Sequence, residues 1–244
     1  MIIGVPKEIK NNESRVGLTP SLVNSLCKQG HTVLVQSKAG TQIGFGNLAY
    51  QEAGAEISDS AKDIFARADM IVKVKEPQAE ECALLREDQV LFTYLHLAPD
   101  PEQTKALIDS KAVCIAYETV TSAHGTLPLL APMSEVAGRM AIQAAATHLE
   151  RSRGGAGILL GGIPGVSPAE VVILGAGVVG RNALQSALGM GARVSIMDRD
   201  LERLRKIDAL YGNRVRTLFS DAVSIEAAVK NADVVIGGVL LPGG

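Results

Sequence analysis

A chain of 244 residues suits one large domain or two of ordinary size. Hydrophobic residues at 47% and charged residues at 20% exclude a disordered chain, and a net charge of −2 gives no basic footprint for nucleic acid. Cys27, Cys82 and Cys114 are odd in number and form no CxxC pair, so they read as reduced, buried thiols and no metal site is expected.

The opening MIIGVPKEIK has only a short apolar stretch before Pro6 and Lys7, which is not the pattern of a signal peptide. No later run approaches the roughly 18 apolar residues that span a bilayer. A cytoplasmic protein with no membrane partner is expected. Residues 2–5 read as a first strand and 6–15 as a polar loop. Thr19 and Pro20 then open a helix, threonine as N-cap and proline at the first helical position, and Gly30 closes it. Strands are expected at 31–36, 55–57, 70–74, 90–95 and 112–117, with helices at 48–53, 59–66, 79–85 and 102–109. Such alternation argues for a parallel sheet with helices on both faces.

The prolines at 128 and 132 break the pattern. Residues 134–151 then read as one long helix with Ser134 as its N-cap, placed as a connector between two α/β units. The expected organisation is a substrate domain at 1–132, a connector helix at 133–152 and a dinucleotide-binding domain at 153–244. The fold class is α/β, with two doubly wound parallel-sheet domains, the second an incomplete Rossmann domain.

That second domain rests on VVILGAGVVGRNALQSALGMGARVSIMD, residues 171–198. An apolar run of four, a buried strand, leads into Gly175-Ala176-Gly177-Val178-Val179-Gly180, then a helix over 182–190 ending at Gly191, and a second strand over 193–197. Gly175 permits the tight turn, Gly177 lets a pyrophosphate approach the backbone, and Gly180 lets the helix pack on the strand. N–H groups at the helix start, with the positive end of the helix dipole behind them, face the phosphates. A GxGxxG pattern alone is weak, since a glycine-rich turn can form without a ligand. Here it has its strand, helix and second strand, and an acid, Asp198, 18 residues past the last glycine. Asp198 can accept both ribose hydroxyls, and its charge repels a 2′-phosphate, which favours NAD over NADP. Arg199 and Arg203 weaken that preference, because either can move to meet a phosphate.

Beyond Asp198 the reading continues with helix 201–211, strand 214–218, helix 224–230 and strand 234–237. A dinucleotide sheet usually has six strands, so the chain is expected to stop within its second domain, leaving the strand at Val234 as an apolar edge.

In an open parallel sheet, ligands sit beyond the carboxyl ends of the strands. Arg15, Lys75, His96 and Glu118 all follow such ends. A guanidinium can hold both oxygens of a carboxylate, Lys75 adds a second positive charge, and His96 can exchange a proton near neutrality. Each residue taken alone is compatible with a surface charge or a structural histidine. Together they point to a dehydrogenase acting on a small acid.

The segments GVPKEIKNNESRVGLTP (4–20), KVKEP (73–77), LFTYLHLA (91–98), YETV (117–120), LPLLAPMSEVAGR (127–139) and GGIPGV (161–166) resemble the alanine dehydrogenase family, along the whole chain. The resemblance implies NAD-linked, reversible oxidative deamination of L-alanine to pyruvate and ammonium, in a cytoplasmic hexamer. By matching position it implies that Arg15 and Lys75 bind the substrate and His96 is the acid/base group. It also implies a cofactor lining of Ser134, Val178, Val179, Asp198, Arg203, Ser220, Val239 and Leu240 beside the three glycines. The resemblance also implies that a second catalytic group, an aspartate, falls beyond residue 244, so the chain taken alone is expected to bind NAD weakly or not at all and not to oxidise alanine. The nearest rival is the NAD-binding part of proton-translocating transhydrogenase, which shares the GxPxExxxxExRVxxTP opening but lacks this lysine and histidine. A non-catalytic NAD-binding fragment is the rival of a different class.

Overall fold

Strands β1 (Ile2–Val5), β2 (Thr32–Gln36), β3 (Glu56–Ser58), β4 (Met70–Val72), β5 (Val90–Thr93) and β6 (Val113–Ala116) pair in parallel in the order β3-β2-β1-β4-β5-β6. They belong to a computed structural model that describes residues 1–240. The chain divides into two units, Met1–Leu129 and Leu130–Gly244.

In the first unit, alternate strand residues face opposite sides, so β2 sends Val33 and Val35 to one core and Leu34 to another. The first core adds Val23 of α1 (Pro20–Lys28) and Tyr50 of α2 (Asn47–Glu52). The second adds Ile64 and Phe65 of α3 (Ala61–Arg67), Cys82 of α4 (Ala79–Cys82) and Leu107 of α5 (Pro101–Ser110). Strands buried on both faces need near-continuous apolar runs, which is why β1 and β2 lack the alternation of a half-exposed strand. α3 packs so close over β1 that a side chain at Gly4 would come within 2.6 Å of Ile64. Thr19 caps α1 through its hydroxyl, and Pro20 occupies the first helical position.

The strand order reverses between β1 and β4, where the crossovers leave on opposite sides and a crevice opens at the carboxyl ends. Behind it lies a fully buried lysine. Lys73 Nζ donates to Glu8 Oε2 at 3.0 Å and to Glu81 Oε1 at 2.7 Å, and all three side chains are withdrawn from solvent. Glu8 also accepts the Val74 N–H at 2.6 Å, so the loop after β1 is tied to the end of β4. Glu81 accepts the Gln78 N–H at 2.9 Å in a capping box that starts α4. Burial of Glu81, offset in part by Lys73, pushes its carboxyl above the usual range.

In the second unit, β7 (Glu170–Leu174), β8 (Arg193–Asp198), β9 (Val215–Phe219) and β10 (Val234–Gly237) form a parallel sheet ordered β10-β7-β8-β9. Its core joins Ile142 and Leu149 of α6 (Ala131–Leu149), Ala183, Leu184 and Ala187 of α7 (Val178–Gly189), and Leu204 and Ile207 of α8 (Leu201–Tyr211). α9 (Ala222–Lys230) connects β9 to β10. The expected edge at Val234 is β10, paired only with β7 among the described residues. Residues 241–244 of the expected second domain lie outside the described residues.

Two helix starts move by three residues or more. α6 begins at Ala131, not Ser134, and its N-terminal flank is Leu130, with no side-chain cap. Proline lacks the N–H that the first turn leaves unpaired anyway, so Pro132 lies inside the helix and Ser134 is a helical residue. α7 begins at Val178, not Asn182, because Gly177 is its N-cap and the second half of the glycine motif is its first turn.

Replacing Lys73 by methionine leaves two buried carboxylates without their cation, a loss of about 3–5 kcal/mol for breaking such a pair. The urea midpoint of Lys73→Met at neutral pH is expected to fall accordingly. The deficit should shrink on acidification, because the folded Glu81 carboxyl, its pKa raised by burial, takes up a proton before the unfolded chain does. A variant as stable as the parent at neutral pH would show that the lysine does not offset these charges.

Candidate functional site

The first unit gathers its chemistry where its sheet reverses. The loop after β1 carries Arg15 and runs across the end of β4, so closely that a side chain at Gly17 would lie 2.7 Å from the Val72 carbonyl. Arg15 is clamped by Glu13: its Nε donates to Oε1 at 2.8 Å and its Nη2 to Oε2 at 2.6 Å, while its own backbone N–H donates to Oε1 at 2.8 Å. A fork-to-fork pair of this kind fixes the guanidinium plane. The same contact holds the Glu13 carboxyl below the usual range and keeps Arg15 more firmly protonated.

Lys75 follows β4, its N–H donating to Glu8 Oε1 at 3.4 Å and its carbonyl accepting the buried Thr93 hydroxyl at 2.9 Å. Its Nζ lies 3.8 Å from Glu76, which also pairs with Lys10. Lys10 is therefore part of the cluster. Burial, then the charges of Lys10 and Arg15, lower the pKa of Lys75.

His96 follows β5, with its ring stacked on Tyr94 at 6.0 Å between centroids and 16° between planes. Its backbone has φ +47°, in the left-handed region. The Glu118 carboxylate accepts the His96 N–H at 2.8 Å and the Leu95 N–H at 3.0 Å. Burial lowers the imidazole pKa, Lys75 and Lys10 lower it further, and Glu118 opposes them. Arg15, Lys75 and His96 are thus brought to one edge, at the ends of β1, β4 and β5. The imidazole is neutral at pH 7 beside two cations, which is an arrangement for binding a carboxylate and accepting a proton.

In the second unit, Gly175 has φ +99° and sits against Gly238, where a side chain would approach the carbonyl to 2.7 Å. A side chain at Gly180 would lie 1.8 Å from the Gly175 carbonyl, so glycine is required by the helix–strand contact. Gly177 differs: among the described residues the nearest neighbour of a side chain there would be the Gly238 carbonyl at 3.9 Å, an ordinary contact that does not demand a glycine. Among the described residues no side chain caps the N–H groups that begin α7, which leaves them able to meet an anion.

Asp198 ends β8. Its Oδ2 accepts the Ala176 N–H at 2.7 Å and its Oδ1 the Asp200 N–H at 2.8 Å, and Arg203 lies 3.5 Å away. Burial works against the charge, but those N–H groups and Arg203 outweigh it and hold the carboxyl below its usual value. Val178 and Val179 lie in the first turn of α7, Ser220 follows β9, and Val239 and Leu240 follow β10 with exposed side chains. Ser134 comes from a different element, α6, one turn before Gly138. At Gly138 the two helices nearly touch, since a side chain there would lie 2.3 Å from the Val179 carbonyl. Arg139 reinforces the contact, its Nε donating to Asn182 at 3.0 Å. These donor and acceptor groups suit a dinucleotide: open N–H groups for phosphates and an ionised acid for ribose hydroxyls.

Sequence reasoning missed Glu8, Glu13 and Tyr94 and gave Glu118 no partner. The two acids do stand in the polar loop that carries Arg15, which is the only local signal of a clamp.

Residues 4–137 match the model of the N-terminal domain, and residues 141–244 that of the C-terminal domain, of the family described as alanine dehydrogenase/PNT. Alanine dehydrogenases of Methanococcus maripaludis and Bacillus subtilis are each 55% identical over 243 residues, covering 100% of this chain and 65% and 64% of theirs. The chain therefore spans about 65% of the length of such curated relatives. A solved L-alanine dehydrogenase superposes with a TM-score of 0.90 at 53% identity, over 100% of this chain and 67% of its own. A transhydrogenase from Sinorhizobium meliloti gives 0.79 at 27%, over 100% of this chain and 71% of its own. Among the described residues no helix is long and apolar enough to cross a membrane.

Removing the charge of Lys75 should let the His96 imidazole rise toward the ordinary value of about 6.5. In Lys75→Met the ring C–H resonances of His96, followed by NMR against pH, are expected to titrate at higher pH than in the parent. An unchanged or lower midpoint would mean that the ammonium does not act on the ring.

Proposed function

The chain belongs to the alanine dehydrogenase/PNT family, and from that premise we propose that it serves the NAD-dependent, reversible oxidative deamination of L-alanine to pyruvate and ammonium. The observation that carries this reading is the grouping of Arg15, Lys75 and a neutral His96 at the reversal of the first sheet. In the same chain, the second unit has the turn and acid of a dinucleotide site. The transhydrogenase reading is less favoured, because that relative is 27% identical against 55% for the alanine dehydrogenases.

Arg15, its guanidinium plane set by Glu13, binds the substrate carboxylate, and Lys75 supplies a second positive charge on the same molecule. Two cations within one small crevice suit alanine and pyruvate better than acids with bulky side chains. When bound, NAD supplies the hydride acceptor. Gly175, Gly177 and Gly180 shape its phosphate turn, and Asp198 accepts its ribose hydroxyls. Val178, Val179, Arg203, Ser220, Val239, Leu240 and Ser134 complete the lining. His96 works on the substrate nitrogen and water: conversion of an imine to a ketone requires a proton taken from water and one delivered to the departing amine. An imidazole that is neutral at pH 7 can take the first, and as imidazolium it can give the second. The oligomer expected is the family's hexamer, and the compartment the cytoplasm.

Alanine-dependent formation of reduced cofactor, followed by its absorbance, tests the reading. General acid–base catalysis is worth about 10²–10⁴-fold, so His96→Ala should lose turnover by that order while NAD still binds. Near-parental turnover would remove the histidine from the chemistry.

Asp198 decides cofactor choice. Hydrogen bonds to a charged acceptor contribute about 1.5–3 kcal/mol, so Asp198→Ala is expected to weaken NAD by about tenfold to a hundredfold and to narrow its advantage over NADP. Calorimetric titration with both cofactors checks this, and unchanged affinities would exclude Asp198 as the ribose ligand.

A further inference from the structure

We propose that Glu118 is a positioning residue for His96: its carboxylate, seated on two successive backbone N–H groups, holds the histidine in its left-handed turn against Tyr94. The value of this role to catalysis rests on the acid/base reading of His96 given above. The turn itself does not.

A residue with a β-carbon is uncommon at positive φ and persists there only when its surroundings impose the conformation. His96, at φ +47°, is so constrained from several sides. Glu118 Oε1 lies 2.8 Å from the His96 nitrogen and 3.0 Å from that of Leu95, and Oε2 lies 3.2 Å from the latter. The carbonyl of Leu95 accepts from the buried Gln103 amide at 2.7 Å. The residue before the turn is thus held at both its N–H and its carbonyl. Charge-assisted bonds of this kind are stronger than those between neutral groups, and a carboxylate can serve two donors at once.

Glu118 is itself fixed. It belongs to a single 3₁₀ turn, Tyr117–Thr119, directly after β6. Tyr117 packs edge-on against Phe92 at 4.3 Å and against Tyr94 at 5.0 Å. Tyr94 stacks on His96, and its hydroxyl donates to the Leu129 carbonyl. One 3₁₀ turn therefore supplies the carboxylate beneath the histidine backbone and braces the ring on which the imidazole lies. The charges that act on the imidazole are Lys75 and Lys10, which oppose its protonation, and Glu118, which favours it. Tyr94 is its aromatic neighbour.

The two functions of the carboxylate can be separated. Glu118→Ala removes acceptor and charge; Glu118→Gln keeps an acceptor oxygen and removes the charge. In Glu118→Ala the amide protons of Leu95 and His96 are expected to exchange at least tenfold faster, with those of β1 and β7 unchanged. Turnover of alanine should fall more than its KM rises. In Glu118→Gln exchange at those amides should stay near parental, while the His96 ring titrates at lower pH. Parental exchange at both amides in a folded Glu118→Ala protein would overturn the proposal. If Glu118→Ala does not fold, Glu118→Asp, whose shorter side chain withdraws the acceptor, takes its place, and parental exchange at both amides there would overturn the proposal equally. His96→Ala assayed in parallel distinguishes the two failures: parental turnover there removes the acid/base reading, and the exchange data still judge the turn.

Discussion

All strands of each sheet run parallel, so within each unit every strand delivers its following loop to the same edge. That constraint, imposed by the ladder and by helical crossovers, decides where chemistry can gather. Where the strand order reverses, neighbouring loops part and leave a crevice. In the first unit the reversal lies between β1 and β4, and the loops there carry Arg15 and Lys75. In the second it lies between β7 and β10, whose following residues are the phosphate turn and Gly238, packed against each other. The buried Lys73, Glu8 and Glu81 keep the first crevice from drifting, because Glu8 bonds both the lysine and the backbone at the end of β4.

Both sites are set before any ligand arrives. Glu13 holds the Arg15 guanidinium, Glu76 holds Lys10 and Lys75, and Glu118 holds the turn of His96. Asp198 is tied to the glycine turn by the Ala176 N–H, so the acid and the N–H groups that begin α7 keep a fixed spacing. Such preorganisation matters because groups that need not reorient lose less of their interaction energy when charge develops. The pattern of ionisation follows the same crowding: burial first, and the neighbouring cations after it, depress Lys75 and His96, and the carboxylates among them keep the cluster from repelling itself.

Much of this was legible in the sequence. Strands buried on both faces must be apolar throughout, and β7 shows it in Val171, Val172, Ile173 and Leu174. Gly175 and Gly180 stand at close contacts inside the protein, and among the described residues Gly177 does not. The family resemblance rested on segments that fall largely around these two crevices. What escaped was non-local. The bond from Glu118 to His96 joins residues 22 positions apart, and that from Glu8 to Lys73 joins residues 65 apart, so neither has a spacing to read. Helix starts were misplaced at Ser134 and Asn182 because a leading proline and a glycine cap look, in sequence, like a continuing loop. The left-handed backbone of His96 has no signature in a residue type that ordinarily avoids it.

The proposed reaction is tested most directly by following the hydrogen it moves. With L-alanine deuterated at C2 and NAD, the chain extended to the family's full length is expected to yield pyruvate and reduced cofactor carrying one deuterium on its nicotinamide ring, detected by mass spectrometry or proton NMR. Reduced cofactor without the label, or pyruvate formed without reduction of NAD, would contradict the reading.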